Sequence, residues 1–156
     1  MRIVSVVENQ KIEKRIAITP EVAKKYISLG FEVSLPENYG FHLGIKDAKY
    51  EEFGVKISKD EKEILINADI IVQLGLLSDE KNLLIKENQT FIGVLNPHEN
   101  KEKIDNLVKK KKAIYDLRVD KKTNKVGNGL ILDNFEIEKL PNYIKNNYNK
   151  YKDWID

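Results

Sequence analysis

The chain has 156 residues, 41% of them hydrophobic and 33% charged, with no cysteine and a net charge of +2. That is the length and apolar content of one globular domain; it excludes a disulfide framework, a thiolate metal site and a cysteine nucleophile, and the near balance of charge argues against a nucleic-acid partner. No stretch approaches the ~20 apolar residues of a membrane span, and the first apolar run is too short for a signal peptide, so a cytoplasmic protein is expected.

The first element is Ile3 to Val7, a β-branched run that reads as a buried strand. Glu8 to Lys14 is polar and aperiodic, hence a loop. Thr19-Pro20-Glu21 is a helix start, with a capping hydroxyl, a proline at the first turn and an acid at the positive helix end. Gly30 ends that helix. Phe31 to Leu35 alternates like a strand, and Pro36 to Gly44 reads as loop. Ala48 to Phe53 is one or two helical turns closed by Gly54, followed by a brief strand over Val55 to Ile57. Asp60 to Asn67 is a helix with Ile64 and Leu65 inward. Ile70 to Leu74 is a strand apolar on both faces apart from Gln73. Ser78 to Lys86 is a helix capped by Ser78. Thr90 to Leu95 is a strand broken by Asn96-Pro97. Glu99 to Lys110 is a helix with Ile104, Leu107 and Val108 on one side, and Ala113 to Leu117 is a further strand.

Strands alternating with helices imply βαβ units. The expected fold class is α/β, an open and mostly parallel sheet with helices on both faces. Residues 1–117 are expected to form this domain, and 118–156 a divergent C-terminal extension packed on it. Within the extension, Gly127 and Gly129 frame an expected turn, and Gly129 to Asp133 suits a short hairpin strand. Tyr143, Tyr148, Tyr151 and Trp154 follow a roughly helical spacing, as in a terminal helix with an aromatic face. The closing Tyr-Lys-Asp-Trp-Ile-Asp reads as a natural terminus.

Several short segments together carry a resemblance. They are Arg2-Ile3, Glu8, Glu13 and Arg15-Ile-Ala-Ile-Thr-Pro20; then Leu29-Gly30-Phe31-Glu32-Val33; Asp47, Tyr50 and Gly54; Ala68-Asp69-Ile70; and Gly93-Val94-Leu95-Asn96-Pro97 with Asn100. In this order they resemble the N-terminal domain of the alanine dehydrogenase/pyridine nucleotide transhydrogenase family, closer to the NAD(P) transhydrogenase alpha-subunit branch. The likeness covers roughly residues 1–117. Alanine dehydrogenases place an arginine, a lysine and a histidine around the substrate in this domain. The arginine position is Arg15; the lysine position is Gly75, a second nearby lysine position is Gln73, and the histidine position is Asn96. Glycine cannot neutralise a carboxylate, and asparagine cannot shuttle a proton at neutral pH. Transhydrogenases follow the fifth strand with an Arg-x-x-x-x-Gln-x-x-Asp loop that reaches the nicotinamide; the residues after Arg118 do not match it. There is no Gly-x-Gly-x-x-Gly fingerprint, and Gly127-Asn128-Gly129 reads as a turn.

The candidate ligand-binding residues are Arg15, Gln73 and Asn96; no catalytic residue and no metal site emerge. Arg15 follows the first strand, at the carboxyl end of the sheet where open α/β folds bind ligands, and suits an anion clamp. Its alternative is an ion pair with Glu8 or Glu13 that orders the loop. Gln73 and Asn96 suit neutral hydrogen bonds to a ligand in the same crevice, or local backbone contacts. His42 and His98 fall in expected loops, without further ligands at metal-binding spacing. Lys109 to Lys112 suits the negative end of a helix.

Three functions are compatible with these residues. The first is a stand-alone transhydrogenase alpha-like N-terminal domain, an accessory or diverged non-catalytic module linked to NAD(P)-dependent redox metabolism. The resemblance then implies a Rossmann-domain subunit as partner and leaves a homodimer open. No cofactor is expected on this chain alone, with NAD(P) held through the partner. The second is a binding protein for a small anionic metabolite, using Arg15. The third is an autonomous alanine-dehydrogenase-like oxidoreductase, disfavoured because no acid–base pair or nucleophile is evident.

Overall fold

The β-branched runs assemble into one sheet whose parallel part places the loops discussed below at a common edge. The computed structural model describes residues 1–109, 113–120 and 125–129. The strands are β1 (Arg2–Val4), β2 (Glu32–Pro36), β3 (Lys56–Ser58), β4 (Ile70–Val72), β5 (Thr90–Gly93), β6 (Ala113–Asp120) and β7 (Lys125–Gly129). Their spatial order is β3-β2-β1-β4-β5-β6-β7. All neighbours pair parallel except β6 and β7. The helices are α1 (Pro20–Ser28), α2 (Asp47–Glu51), α3 (Glu61–Ile66), α4 (Asp79–Leu84) and α5 (Pro97–Lys109), with a single 3-10 turn at Phe41–Leu43.

Helix starts follow local chemistry. Thr19 caps α1 by accepting from Val22 N, Asp60 caps α3, and Ser78 caps α4 by accepting from Lys81 N. Beyond α1, Gly30 takes φ +86°, a left-handed conformation that glycine enters at no steric cost. The strands then divide the core. Ile3 and Ile70 face a cluster with Ile18, Ala23, Tyr39 and Tyr50, under α1 and α2. Val4 and Ile71 face the opposite cluster, with Leu65 of α3, Phe91 of β5 and Ile104 of α5. Helices therefore cover both faces, as right-handed crossovers require.

Two expectations differ in detail. β1 ends at Val4, not Val7, because the Val6 amide donates to the Gln73 side chain at 3.0 Å. The segment expected to turn at Gly127 and Gly129 is instead strand β7, with Gly127 opposite Arg118 and Gly129 opposite Asp116. Here ladder pairing overrides the low strand propensity of glycine. β6 runs through Leu117 to Asp120. Residues 130–156, including the expected hairpin strand at 129–133 beyond Gly129 and the aromatic terminal helix, lie outside the described residues, as do Lys110 to Lys112. No helix among the described residues is long and apolar enough to cross a membrane.

Candidate functional site

The chain leaves β1 towards β2 on one side and leaves β4 towards β5 on the other, so the β1/β4 boundary is the topological switch point of the sheet. Loops diverge there and leave a crevice at the carboxyl ends of the strands, the usual ligand position in open α/β sheets. The crevice measures about 870 Å³. Its walls come from the loop after β1, the loop after β4, the turn after β5 and one face of α4 and α5.

Arg15, Gln73 and Asn96 all line this crevice, but each is already engaged. Arg15 grips Glu13 in a two-pronged pair, Nε to Oε1 at 2.9 Å and Nη2 to Oε2 at 2.7 Å. Its side chain is 74% exposed. Of the two acids named as alternatives for Arg15, the partner is Glu13. Gln73 is buried, and its Oε1 accepts from Ser5 Oγ at 2.6 Å and Val6 N at 3.0 Å. Asn96 takes φ +49° and donates through Nδ2 to Glu99 Oε2 at 3.0 Å.

The hydrogen bonds of Arg15 hold the Glu13 carboxyl down to about 2, from an ordinary 4.5. A carboxyl lowered on folding adds stability above its unfolded value and loses it as pH falls through the folded one. The pair is exposed, so its worth is no more than ~1 kcal/mol. Arg15→Ala is therefore expected to cost less than ~1 kcal/mol at neutral pH, with the difference vanishing as pH approaches 2. Carboxyl NMR titration of Glu13 in the variant would return it towards 4.5; a titration unchanged from that of the parent chain would refute the pair.

The group that residue patterns did not single out is Glu8. It is 8% exposed, lines the crevice, and accepts from Leu74 N at 2.6 Å. Burial pushes its carboxyl above the ordinary range, against the opposing influence of the Leu74 and Gly75 amides. The contact spans 66 residues of sequence, so no local spacing signals it. The only hint is an acid just after a buried strand. Lys81 and Lys103 also line the crevice; Lys81 pairs with Glu61 at 2.6 Å and Lys103 with Asp79 at 3.7 Å.

His42 differs from the exposed loop histidine expected. It is partly buried in the 3-10 turn, with Nε2 2.8 Å from the Lys14 carbonyl and Nδ1 buried without a partner. The His98 side chain lies outside the described set. Among the described residues, no group of three or more His, Asp or Glu side chains suits a metal ion.

Many residues of the sequence resemblance hold these loops together. The Tyr50 hydroxyl donates to Ile18 O at 3.0 Å, Asp47 accepts from Asn38 N, Asp69 accepts from Arg2 N at 2.6 Å, and Asn100 Nδ2 donates to Leu95 O at 2.9 Å. The model of the family described as alanine dehydrogenase/PNT, N-terminal domain, matches residues 5–125. The chain belongs to this family. Among its relatives in the alanine dehydrogenase/PNT family is the first of the pieces that make up the NAD(P) transhydrogenase alpha subunit of Rickettsia prowazekii. The two are 39% identical over 114 residues, covering 70% of this chain and 30% of that protein. The corresponding alpha-subunit piece from Rhodospirillum rubrum is 32% identical over 120 residues, 74% of this chain and 31% of that one. The crystal structure of transhydrogenase from Sinorhizobium meliloti superposes with a TM-score of 0.68 at 23% identity, covering 77% of this chain and 37% of that one, and so shares the fold. The chain thus spans about a third of the length of the curated relatives it matches.

Proposed function

We propose that this chain serves as the N-terminal module of a transhydrogenase alpha-type unit and works with a nucleotide-binding domain that it does not itself provide. The observation that carries this reading is the match over residues 5–125, which takes in every loop of the switch-point crevice. The chemistry of the chain suits an accessory module. A dinucleotide pyrophosphate needs a glycine-rich turn at a helix N-terminus. The β1–α1 connection from Ser5 to Thr19 contains no glycine, and the Thr19 side chain already caps the helix that follows. These residues do not fit the phosphates, so the partner is assigned that task, and the redox step with it. Clamping of an anionic metabolite by Arg15 is the weaker reading, because the anion would have to displace Glu13.

The test mixes the purified chain with a separately produced transhydrogenase-type domain carrying the Gly-x-Gly-x-x-Gly fingerprint. Sedimentation is expected to show a complex, and NADH fluorescence to respond to the mixture and not to this chain alone. Tight NADH binding by the chain alone, or the absence of a complex with any such domain tried, would overturn the proposal.

A further inference from the structure

The charges around the crevice are not those of an anion site. Its three lining cations each hold an acid: Arg15 with Glu13, Lys81 with Glu61, and Lys103 with Asp79. Glu99 and Glu8 also line it, and neither forms an ion pair among the described residues. Five carboxylates therefore surround three cations. Glu8 is the one held out of water, its Oε1 fixed by Leu74 N. A Cβ built at Gly75 would meet only one atom within 4 Å, Glu8 Oε2 at 3.6 Å. The space beside that oxygen is thus not filled by any side chain.

We propose that the crevice recognises a small molecule carrying a primary ammonium group, and that Glu8 is the carboxylate that receives it. A buried carboxylate loses hydration on folding, and a cation entering beside it restores favourable electrostatics where the local dielectric is low. The ammonium has three donors and needs an acceptor that is not already saturated; the oxygen beside Gly75 meets that need. An anion would meet net repulsion and three cations already neutralised. Ile12, Leu76 and Val94 on the same walls suit an apolar body on the amine. The other groups facing Glu8 are Glu13, which disfavours its charge, and Lys81, which favours it but is held by Glu61.

The inference rests on the crevice being a ligand site, as proposed above, but its test needs neither partner nor nucleotide. The ¹⁵N-labelled chain is titrated with butylammonium chloride and, separately, with sodium butyrate, which has a similar body and the opposite charge. Butylammonium is expected to shift the Leu74 and Gly75 amides saturably, and butyrate to leave them in place. Glu8→Gln is expected to weaken the response at least about tenfold. Gly75→Lys supplies a tethered ammonium beside the carboxylate and should abolish it, which keeps the test decisive if Glu8→Gln fails to fold. A saturable response to butyrate that disappears in Arg15→Ala would overturn the proposal. So would no response to butylammonium, or one that persists in either crevice variant. Each of these outcomes leaves the sedimentation result with a nucleotide-binding partner standing on its own.

Discussion

Replacing Gln73 with leucine is expected to lower the unfolding free energy by about 2–5 kcal/mol. Leucine matches the space but not the chemistry. Gln73 Oε1 is the acceptor for Val6 N–H and Ser5 O–H, at 3.0 and 2.6 Å, in a site where Gln73, Ser5 and Val6 are all buried. Without it, each stranded donor costs roughly 1–3 kcal/mol. Ser5 has a second contact, since the Tyr39 hydroxyl donates to Ser5 Oγ at 2.8 Å while accepting from Ala17 N and Ile18 N. Burial pushes the Tyr39 hydroxyl up to about 12, so it remains a donor through neutral pH. The network ties β1, the loop before α1, the segment after β2 and the end of β4 into one unit, and its members are not independent. Urea denaturation would show a lower midpoint with an unchanged slope. A loss under about 1 kcal/mol would mean that water or a rotated Ser5 hydroxyl replaces the carboxamide.

Gly93→Ala is expected to destabilise the domain by about 3 kcal/mol, the upper end for overpacking. The added Cβ would sit 2.6 Å from the Gln73 carbonyl oxygen and 3.0 Å from Leu95 Cδ2. The leucine tip can rotate away. The carbonyl belongs to the backbone, where the Gln73 amide donates to Ile92 O at 2.9 Å, so β4 and β5 would have to separate. For a chain of this length the melting temperature should fall by roughly 6–12 °C. Gly75→Ala is the internal control. Its nearest contact would be the ordinary 3.6 Å to Glu8, so a change within about 0.5 kcal/mol is expected. Equal melting temperatures for the two variants would refute the close approach at Gly93.

Gln73 and Arg15 show how far residue patterns reach. Gln73 stands out as the one polar residue in an apolar run, and it does line the crevice. Periodicity cannot tell whether its carboxamide faces a ligand or the neighbouring strand, because its partners Ser5 and Val6 lie more than 65 residues away. The position of Arg15 after the first strand puts it at the correct edge of the sheet, and leaves two acids of the same loop as its partner. The choice of Glu13 follows from the turn in which the Ile12 and Glu13 amides both donate to Asn9 O. That turn brings residues 13 and 15 side by side and leaves Glu8 to the loop after β4. Gly127 and Gly129 mislead as turn residues because glycine is a strong local signal, and only the partner strand β6 overrides it.

What the sequence by itself determined was whatever depends on neighbours a few bonds away. This includes the caps at Thr19, Asp60 and Ser78, the left-handed stop at Gly30, the alternation of strands with helices, and through its ordered short motifs the family. Capping hydroxyls and backbone sterics act within one turn, so residue type and spacing suffice to read them. Only the tertiary structure decided which charges remain available at the crevice. Glu8 is buried there and held by an amide 66 residues away, while Arg15, Lys81 and Lys103 are each neutralised by an acid. Those pairings depend on which loops the sheet order brings together at the β1/β4 switch point. Charge, unlike capping, acts through space between residues distant in the chain.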